Sequence, residues 1–328
     1  MIRYVAYRLA WAVAVIWAAF TVAFGVLYVL PSDPVSIAAG AAGSGTPVDA
    51  AAIAEMQQRY GLDKSVGEQY VVGLGNAVTG DFGRSIGTGQ PVTEAIAAAL
   101  PSTIQLALAA LVLAVVFGGG LAILATYLRT SWLRTALLAL PPLGVAVPTF
   151  WSGLILLDLF SFRLPIFPAF GDTGFTSLVL PAIALAIPTG AMIAQVLATS
   201  LIGTARQPFV DTARAKGASD LRVHVHHLLR LSSIPALTIA GVLVGDILAG
   251  AVVVETVFAR NGLGRLTQTA VLNQDIPVVL AVVLFSALVF VLVNLVVDLI
   301  YPLIDPRVVV RAAPTNPVST ADRESSDV

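Results

Sequence analysis

Three histidines, His224, His226 and His227, fall within four residues and form the densest set of borderline metal ligands in the chain. On a helix His224 and His227 share a face and His226 points elsewhere, and no nearby carboxylate pattern completes a site, so no metal site is assigned. With Arg222 and Arg230 they read instead as a basic face, without the aromatic interleaving that would suggest nucleic acid. The chain has two lysines, Lys64 and Lys216, and neither lies in a Gly-x-x-x-x-Gly-Lys-Ser/Thr loop able to cradle nucleotide phosphates. His-Glu-x-x-His and Gly-x-Ser-x-Gly patterns are missing, which argues against a membrane zinc protease or a nucleophile-elbow hydrolase. With no cysteine, disulfides and thiolate chemistry drop out together. What remains is one conspicuous carboxylate. Asp246 lies in the middle of an apolar stretch beside Gly245, with Gly241 and Gly250 nearby, and is expected to face a bundle interior or a water-filled path, either as a pathway-lining residue or as a structural hydrogen-bond partner. Asp158, Glu255 and Asp298 lie near the ends of such stretches, where an interfacial position is the simpler expectation.

The elements that hold these residues are set by the solvent. Of 328 residues, 57% are hydrophobic and 11% charged, too few charges to cover a water-soluble domain of this size, so the surface is built for lipid. A net charge of −1 offers no global basic field. Six stretches are apolar enough to span a bilayer as helices: Leu9–Leu30, Ser102–Leu128, Leu133–Phe160, Leu178–Leu201, Ile234–Val257 and Val278–Ile304. Period-two alternation is absent, which argues against a barrel. The first stretch follows Arg3 and Arg8 like a secretion signal, but its apolar run is too long for one and it reads as a retained anchor. If the N-terminus is inside, twelve of the eighteen Lys and Arg residues fall on inside segments, which places both termini in the cytoplasm. Residues 1–8 then form a cytoplasmic N-terminus, 9–30 the first span, 31–101 an outer segment and 102–311 the remaining five spans. The tail 312–328, rich in Pro, Ser, Thr and charge, reads as disordered. The outer segment contains turn chemistry at Pro31-Ser32-Asp33-Pro34 and Gly80-Asp81-Phe82-Gly83, with a helical mixture between them over Ala50 to Tyr70, and is expected to fold as a small cap. Pro141, Pro142 and Pro148 interrupt the third span and Pro181 and Pro188 the fourth, while Gly118, Gly119 and Gly120 allow close helix approach in the second.

The inside segment 202–233 carries the most specific local pattern. Pro208 suits a first helical turn, Gly217 a left-handed helix end, and Ser219 the cap of a following helix. Helix, glycine, helix between two spans makes a rigid knob, suited to transmitting force from a soluble partner. Asp211-Thr212-Ala213-Arg214-Ala215-Lys216-Gly217 resembles the Glu-Ala-Ala-x-x-x-Gly cytoplasmic loop of binding-protein-dependent ABC importer permeases, and more closely the Arg-Thr-Ala-Arg-Ala-Lys-Gly version of their dipeptide, oligopeptide and nickel branch. The resemblance covers nearly the whole chain. Pro31-Ser32-Asp33-Pro34, Tyr60-Gly61-Leu62-Asp63, Gly80-Asp81-Phe82-Gly83, Pro91-Val92 and Leu100-Pro101-Ser102-Thr103 match in order. So do the run Gly250 to Phe258, Gly262-Leu263-Gly264 and Asp305-Pro306-Arg307. The chain departs from the pattern at Asp211, where the wider family has Glu, at Leu229-Arg230, where it has Leu-Pro, and at Leu231, where the branch commonly has Asn.

That resemblance implies an all-α membrane protein with six transmembrane helices in the type I ABC importer permease fold, and a structured extracytoplasmic loop between the first two. It implies a non-catalytic subunit in a bacterial or archaeal plasma membrane that pairs with a second, homologous permease around a central path. Two cytoplasmic ATPase domains would bind ATP and Mg and receive the loop Asp211 to Gly217, this chain holding no cofactor of its own, and an extracytoplasmic binding protein would deliver substrate. Short peptides are the expected cargo rather than nickel or another small solute, because no span holds a cluster of His, Cys or Met. A secondary, ion-coupled transporter is the alternative from another class, with Asp246 as its single central carboxylate and no internal repeat to support it.

Overall fold

The computed structural model describes residues 2–29 and 50–304. The Pro31 to Pro34 turn, Asp305 to Arg307, the tail 312–328 and the side chain of Asp298 lie outside the described residues. All regular structure among the described residues is helical: α1 (Ile2–Val29), α2 (Ala50–Tyr60), α3 (Val66–Thr79), α4 (Val92–Tyr127), α5 (Ser131–Ala146), α6 (Thr149–Arg163), α7 (Thr176–Thr204), α8 (Pro208–Ala215), α9 (Asp220–Val257), α10 (Leu263–Leu272) and α11 (Ile276–Ile304). Five of these, α1, α4, α7, α9 and α11, are long and apolar enough to cross a membrane, and α5 with α6 makes a sixth if counted as one broken span.

Several boundaries differ from the sequence expectation. The third span is not one helix: α5 and α6 meet at 101°. Pro148 crowds the α region of the residue before it, and both Val147 (ψ 121°) and Pro148 (ψ 136°) are extended, so the chain turns there and restarts at Thr149. Pro141 and Pro142 stay inside α5. The second span opens at Val92, ten residues before Ser102, with Pro101 accommodated within the helix. The fifth opens at Asp220 rather than Ile234, so the inside segment shortens to the knob itself. Short π-helical turns lie within α4 (Ala114–Gly118) and α9 (Val223–Leu228), and another ends α6 (Asp158–Arg163).

At the centre runs α7, with α4, α5, α6 and α9 packed around it. Its buried face is made of small residues, including Ala184, Ala191, Ala194 and Ala198, which let neighbouring backbones approach. The tightest approach is at Gly118 of α4, where an added Cβ would collide with the backbone of Gly190. Gly119 faces Leu197 at ordinary contact distance and Gly120 faces open space, so of the three glycines Gly118 alone is required by packing. Between α1 and α4 the cap folds through α2 and α3. Ser65 and Glu68 form a reciprocal capping box at the start of α3, and Gly80 ends it in the left-handed region (φ 76°). Phe20 and Phe24 of α1 stack on each other and meet Tyr70 of α3 in tilted and edge-on contacts, seating the cap on the first span.

Candidate functional site

The helix-glycine-helix knob has the local geometry that its residue types dictate. Pro208 occupies the first turn of α8 after extended Gln207. Gly217 sits at φ 84°, its N–H donates to Arg214 O (2.9 Å), and the Ala218 N–H donates to Ala213 O (3.1 Å), the paired bonds of a Schellman end. Ser219 then caps α9 by accepting from the Arg222 N–H. One side of α8 is anchored: Val210 is fully buried, and Phe209 and Ala213 pack with it on a core formed by Ala122, Leu197, Leu201 and Val223. The other side is free. Asp211, Thr212, Arg214, Ala215, Lys216 and Gly217 are all exposed. Arg214 lies 4.0 Å from Asp211 and 3.5 Å from Asp220, and Asp220 also pairs with Arg129 at the end of α4.

At the opposite end of α9 the polar groups are buried. Sequence reasoning placed Glu255 at an interface, but it is completely inaccessible. Its Oε1 accepts from Thr103 Oγ1 (2.6 Å) and its Oε2 from the backbone N–H groups of Gly264 (2.7 Å) and Arg265 (3.2 Å). Thr103 Oγ1 in turn accepts the Leu263 N–H (2.7 Å). Helix α10 begins at Leu263 after Gly262, which has no side chain to cap it, so Glu255 and Thr103 together satisfy its first three orphan donors from outside the helix. An added Cβ on Gly262 would strike the Glu255 carboxylate, and one on Gly264 would strike the backbone of Val252, which explains both glycines of Gly262-Leu263-Gly264. Arg260 is also buried. It donates to Ser177 O (3.2 Å) and Ser102 Oγ (3.3 Å), linking the α9–α10 turn to the body of α4 and the start of α7. Burial pulls the Arg260 guanidinium below its ordinary value, opposed by the charges of Asp172 and Glu255. Beyond the C-terminus of α10, buried Asp275 accepts from Ser85 Oγ and from the N–H groups of Ile86 (3.1 Å) and Gly87 (3.2 Å), tying the cap to the α10–α11 link. The sequence reading missed Asp275, Arg260 and helix α10. The pairing of Glu255 with two glycines seven and nine residues later was the available signal.

Asp246 is not inside this chain's bundle. Leu243, Ile247, Ala251 and Val254 form the buried face of α9, and Asp246 lies off that face, exposed in a stripe with Thr238, Val242, Ala249 and Val253. The bundle-interior alternative is therefore corrected. The histidines diverge as well: His224 is buried, with its Nε2 3.1 Å from Thr126 Oγ1 and its ring against Tyr127, whereas His226 is exposed. Asp158 pairs with Arg163 (2.8 Å) on an exposed surface, as a span-end carboxylate should.

The model of the family described as binding-protein-dependent transport system inner membrane component matches residues 118–310, and the model of its N-terminal region matches residues 1–107. The chain belongs to this family. It is 35% identical over 286 residues to a putative peptide transport system permease protein of Brucella abortus (strain 2308), covering 85% of this chain and 90% of that protein. It is 34% identical over 287 residues to the glutathione transport system permease protein GsiC of Escherichia coli (strain K12), covering 87% and 92%. A solved chain of the MetNI methionine ABC transporter, captured facing inward, superposes with a TM-score of 0.53 at 14% identity, over 65% of this chain and 98% of that one. That likeness establishes the shared fold. This member of the binding-protein-dependent family is thus a multi-pass permease with the importer fold, a transport component and not itself an enzyme.

Proposed function

We propose that this permease forms half of the translocation path of an ATP-driven importer for short peptides, paired with a second homologous permease. In this reading α8 docks onto one of two cytoplasmic ATPase domains, ATP and Mg reside in those partners, both chain termini face the cytoplasm, and a binding protein presents cargo to the cap and α10. The observation that carries it is the anchored knob: Phe209, Val210 and Ala213 fix α8 to the ends of α4, α7 and α9 while Asp211, Thr212 and Arg214 to Gly217 stay exposed. A body so fastened passes displacement to three spans at once. The relatives named for peptide and glutathione transport support the choice of cargo.

Asp246 then lines the path. A carboxylate facing lipid at mid-span costs roughly 2.5–3.5 kcal/mol even on the mildest scale, so an exposed Asp in the α9 stripe is far better placed against water or the partner permease. The deciding experiment substitutes Gly217, whose left-handed φ of 84° a proline ring cannot adopt and a β-branched residue adopts only under strain. In the complete transporter reconstituted in vesicles, Gly217→Pro should leave ATP hydrolysis running while peptide uptake fails. Coupled uptake at the normal rate in that variant would remove the knob from the mechanism.

A further inference from the structure

Beside the knob is a cavity of about 630 Å³, within the usual ~300–1,000 Å³ range of small-ligand sites, that the transport reading leaves without a role. Four guanidinium groups border it, from Arg129, Arg134, Arg206 and Arg214, against the single carboxylate of Asp220. Asp220 is already engaged by Arg129 and Arg214. Among the described residues Arg134, which is half-buried, and Arg206 have no carboxylate partner, so the cavity keeps a strong positive excess. The rest of its wall is mixed: Thr126 and His224 add polar groups, and Leu201, Ile202 and Leu228, near the end of α7 and the start of α9, add apolar ones.

Depth in the membrane identifies what can reach it. Tyr127 closes α4 and is part of the cavity wall, and Trp132, 71% exposed, stands in the first turn of α5, five residues on. Paired amphipathic rings at span ends mark the headgroup level of a bilayer. A basic pocket between span ends at that level, with apolar wall below it, matches a lipid phosphate with acyl chains running down the helices. An acidic patch of a soluble partner is less well served, because Arg134 is half-buried whereas Asp211 and Lys216 of the knob are exposed.

We infer that the open cavity bordered by Arg134, Arg206, Arg129 and Arg214 binds the phosphate headgroup of one anionic phospholipid. The lipid would sit against the base of α8 and hold the ends of α4, α7 and α9 together where the knob transmits its displacement. The inference rests on the proposed reading only in placing α8 at the ATPase-facing side, and lipid occupancy can be measured whether or not coupling occurs.

The test uses the purified transporter complex, delipidated in detergent and titrated with phosphatidylglycerol or with phosphatidylcholine of the same chains, bound lipid being counted by native mass spectrometry. Phosphatidylglycerol should fill one site per copy of this chain and phosphatidylcholine should not. Arg134→Gln combined with Arg206→Gln should weaken phosphatidylglycerol binding roughly thirtyfold, since each interfacial Arg contributes on the order of 1 kcal/mol toward an anionic headgroup. The exposed single change Arg206→Gln, which is not expected to disturb folding, should give part of that loss with an unchanged unfolding midpoint. Equal retention of phosphatidylglycerol by the double variant, or equal binding of phosphatidylcholine, overturns the inference. Displacement by millimolar inorganic phosphate would reassign the cavity to a free anion. Loss of the ATPases with lipid occupancy intact would reassign it to the partner, and so overturns the lipid proposal without touching the transport reading.

Discussion

The two ends of α9 treat charge in opposite ways. At its start, Asp220, Arg214 and Arg129 are linked by ion pairs open to solvent, with side chains 40%, 55% and 87% exposed. At its end, Glu255 and Arg260 are sealed from solvent, and Glu255 satisfies backbone donors of α10. Exposed pairs contribute little to stability and remain available to another molecule, whereas a buried carboxylate holding helix donors is committed to this chain's own structure. The contrast separates an exposed, charged end from the buried clamp that fixes α10. It can be broken at either end by substitution.

The largest effect is expected at Glu255. Glu255→Ala would leave the Gly264 and Arg265 N–H groups and the Thr103 hydroxyl unpaired in a dry site, and each buried unsatisfied group costs about 1–3 kcal/mol. Thermal unfolding of the purified permease should report a loss on the order of 3 kcal/mol or more. An unchanged midpoint would show that α10 does not depend on this carboxylate. Next in size is Gly264→Ala, whose new Cβ must push against the Val252 backbone, a rigid neighbour, at about 1–3 kcal/mol for overpacking. If the variant unfolds with the wild type, the α9–α10 contact is looser than its geometry implies.

Gly217→Val acts at the knob end, just before the start of α9. A β-branched residue at φ 84° costs about 1–2 kcal/mol of local strain, yet Gly217 faces open space, so nothing beyond the knob is disturbed. Its stability loss should be modest and its uptake loss large. Asp246→Asn should go further in the same direction: a surface exchange away from packing changes stability by no more than about 0.5 kcal/mol, while uptake kinetics in vesicles should shift. Unaltered uptake by Asp246→Asn would count against its place on the path.

Particular residues show why much of this was legible in advance and some was not. Pro208 and Gly217 act through their own backbone and Ser219 through a hydroxyl that reaches only three residues on, so residue type alone dictated the turn of helix, the left-handed end and the next cap. Five of the six spans followed from apolar length, which needs no partner to be read. The bend between α5 and α6 was harder. Three prolines were candidates, and only Pro148 changes direction, because Pro141 and Pro142 keep helical surroundings. The roles of Glu255 and Asp275 depend on contacts with Thr103 and with Ser85 across 152 and 190 residues, distances that no local pattern encodes. Asp246 illustrates the same limit in reverse. Its mid-span position was plain, but the direction in which it points depends on which side of α9 packs against α7.

The smaller effect of the two carboxylates at the ends of α9 sharpens the comparison most. Asp220 engages two arginines, a count of contacts similar to that of Glu255, and it stands in the first turn of α9 where a negative charge suits the helix end. Counting interactions alone would therefore rank the two carboxylates together. Solvent access ranks them apart, because water and salt replace what the exposed pairs lose, so Asp220→Ala should cost no more than about 1 kcal/mol. The same change removes the one carboxylate bordering the basic cavity, and phosphatidylglycerol binding should then strengthen. A destabilisation as large as that of Glu255→Ala, read by thermal unfolding in the same detergent, would mean that the knob end is a structural clamp too, and the division of labour along α9 would have to be abandoned.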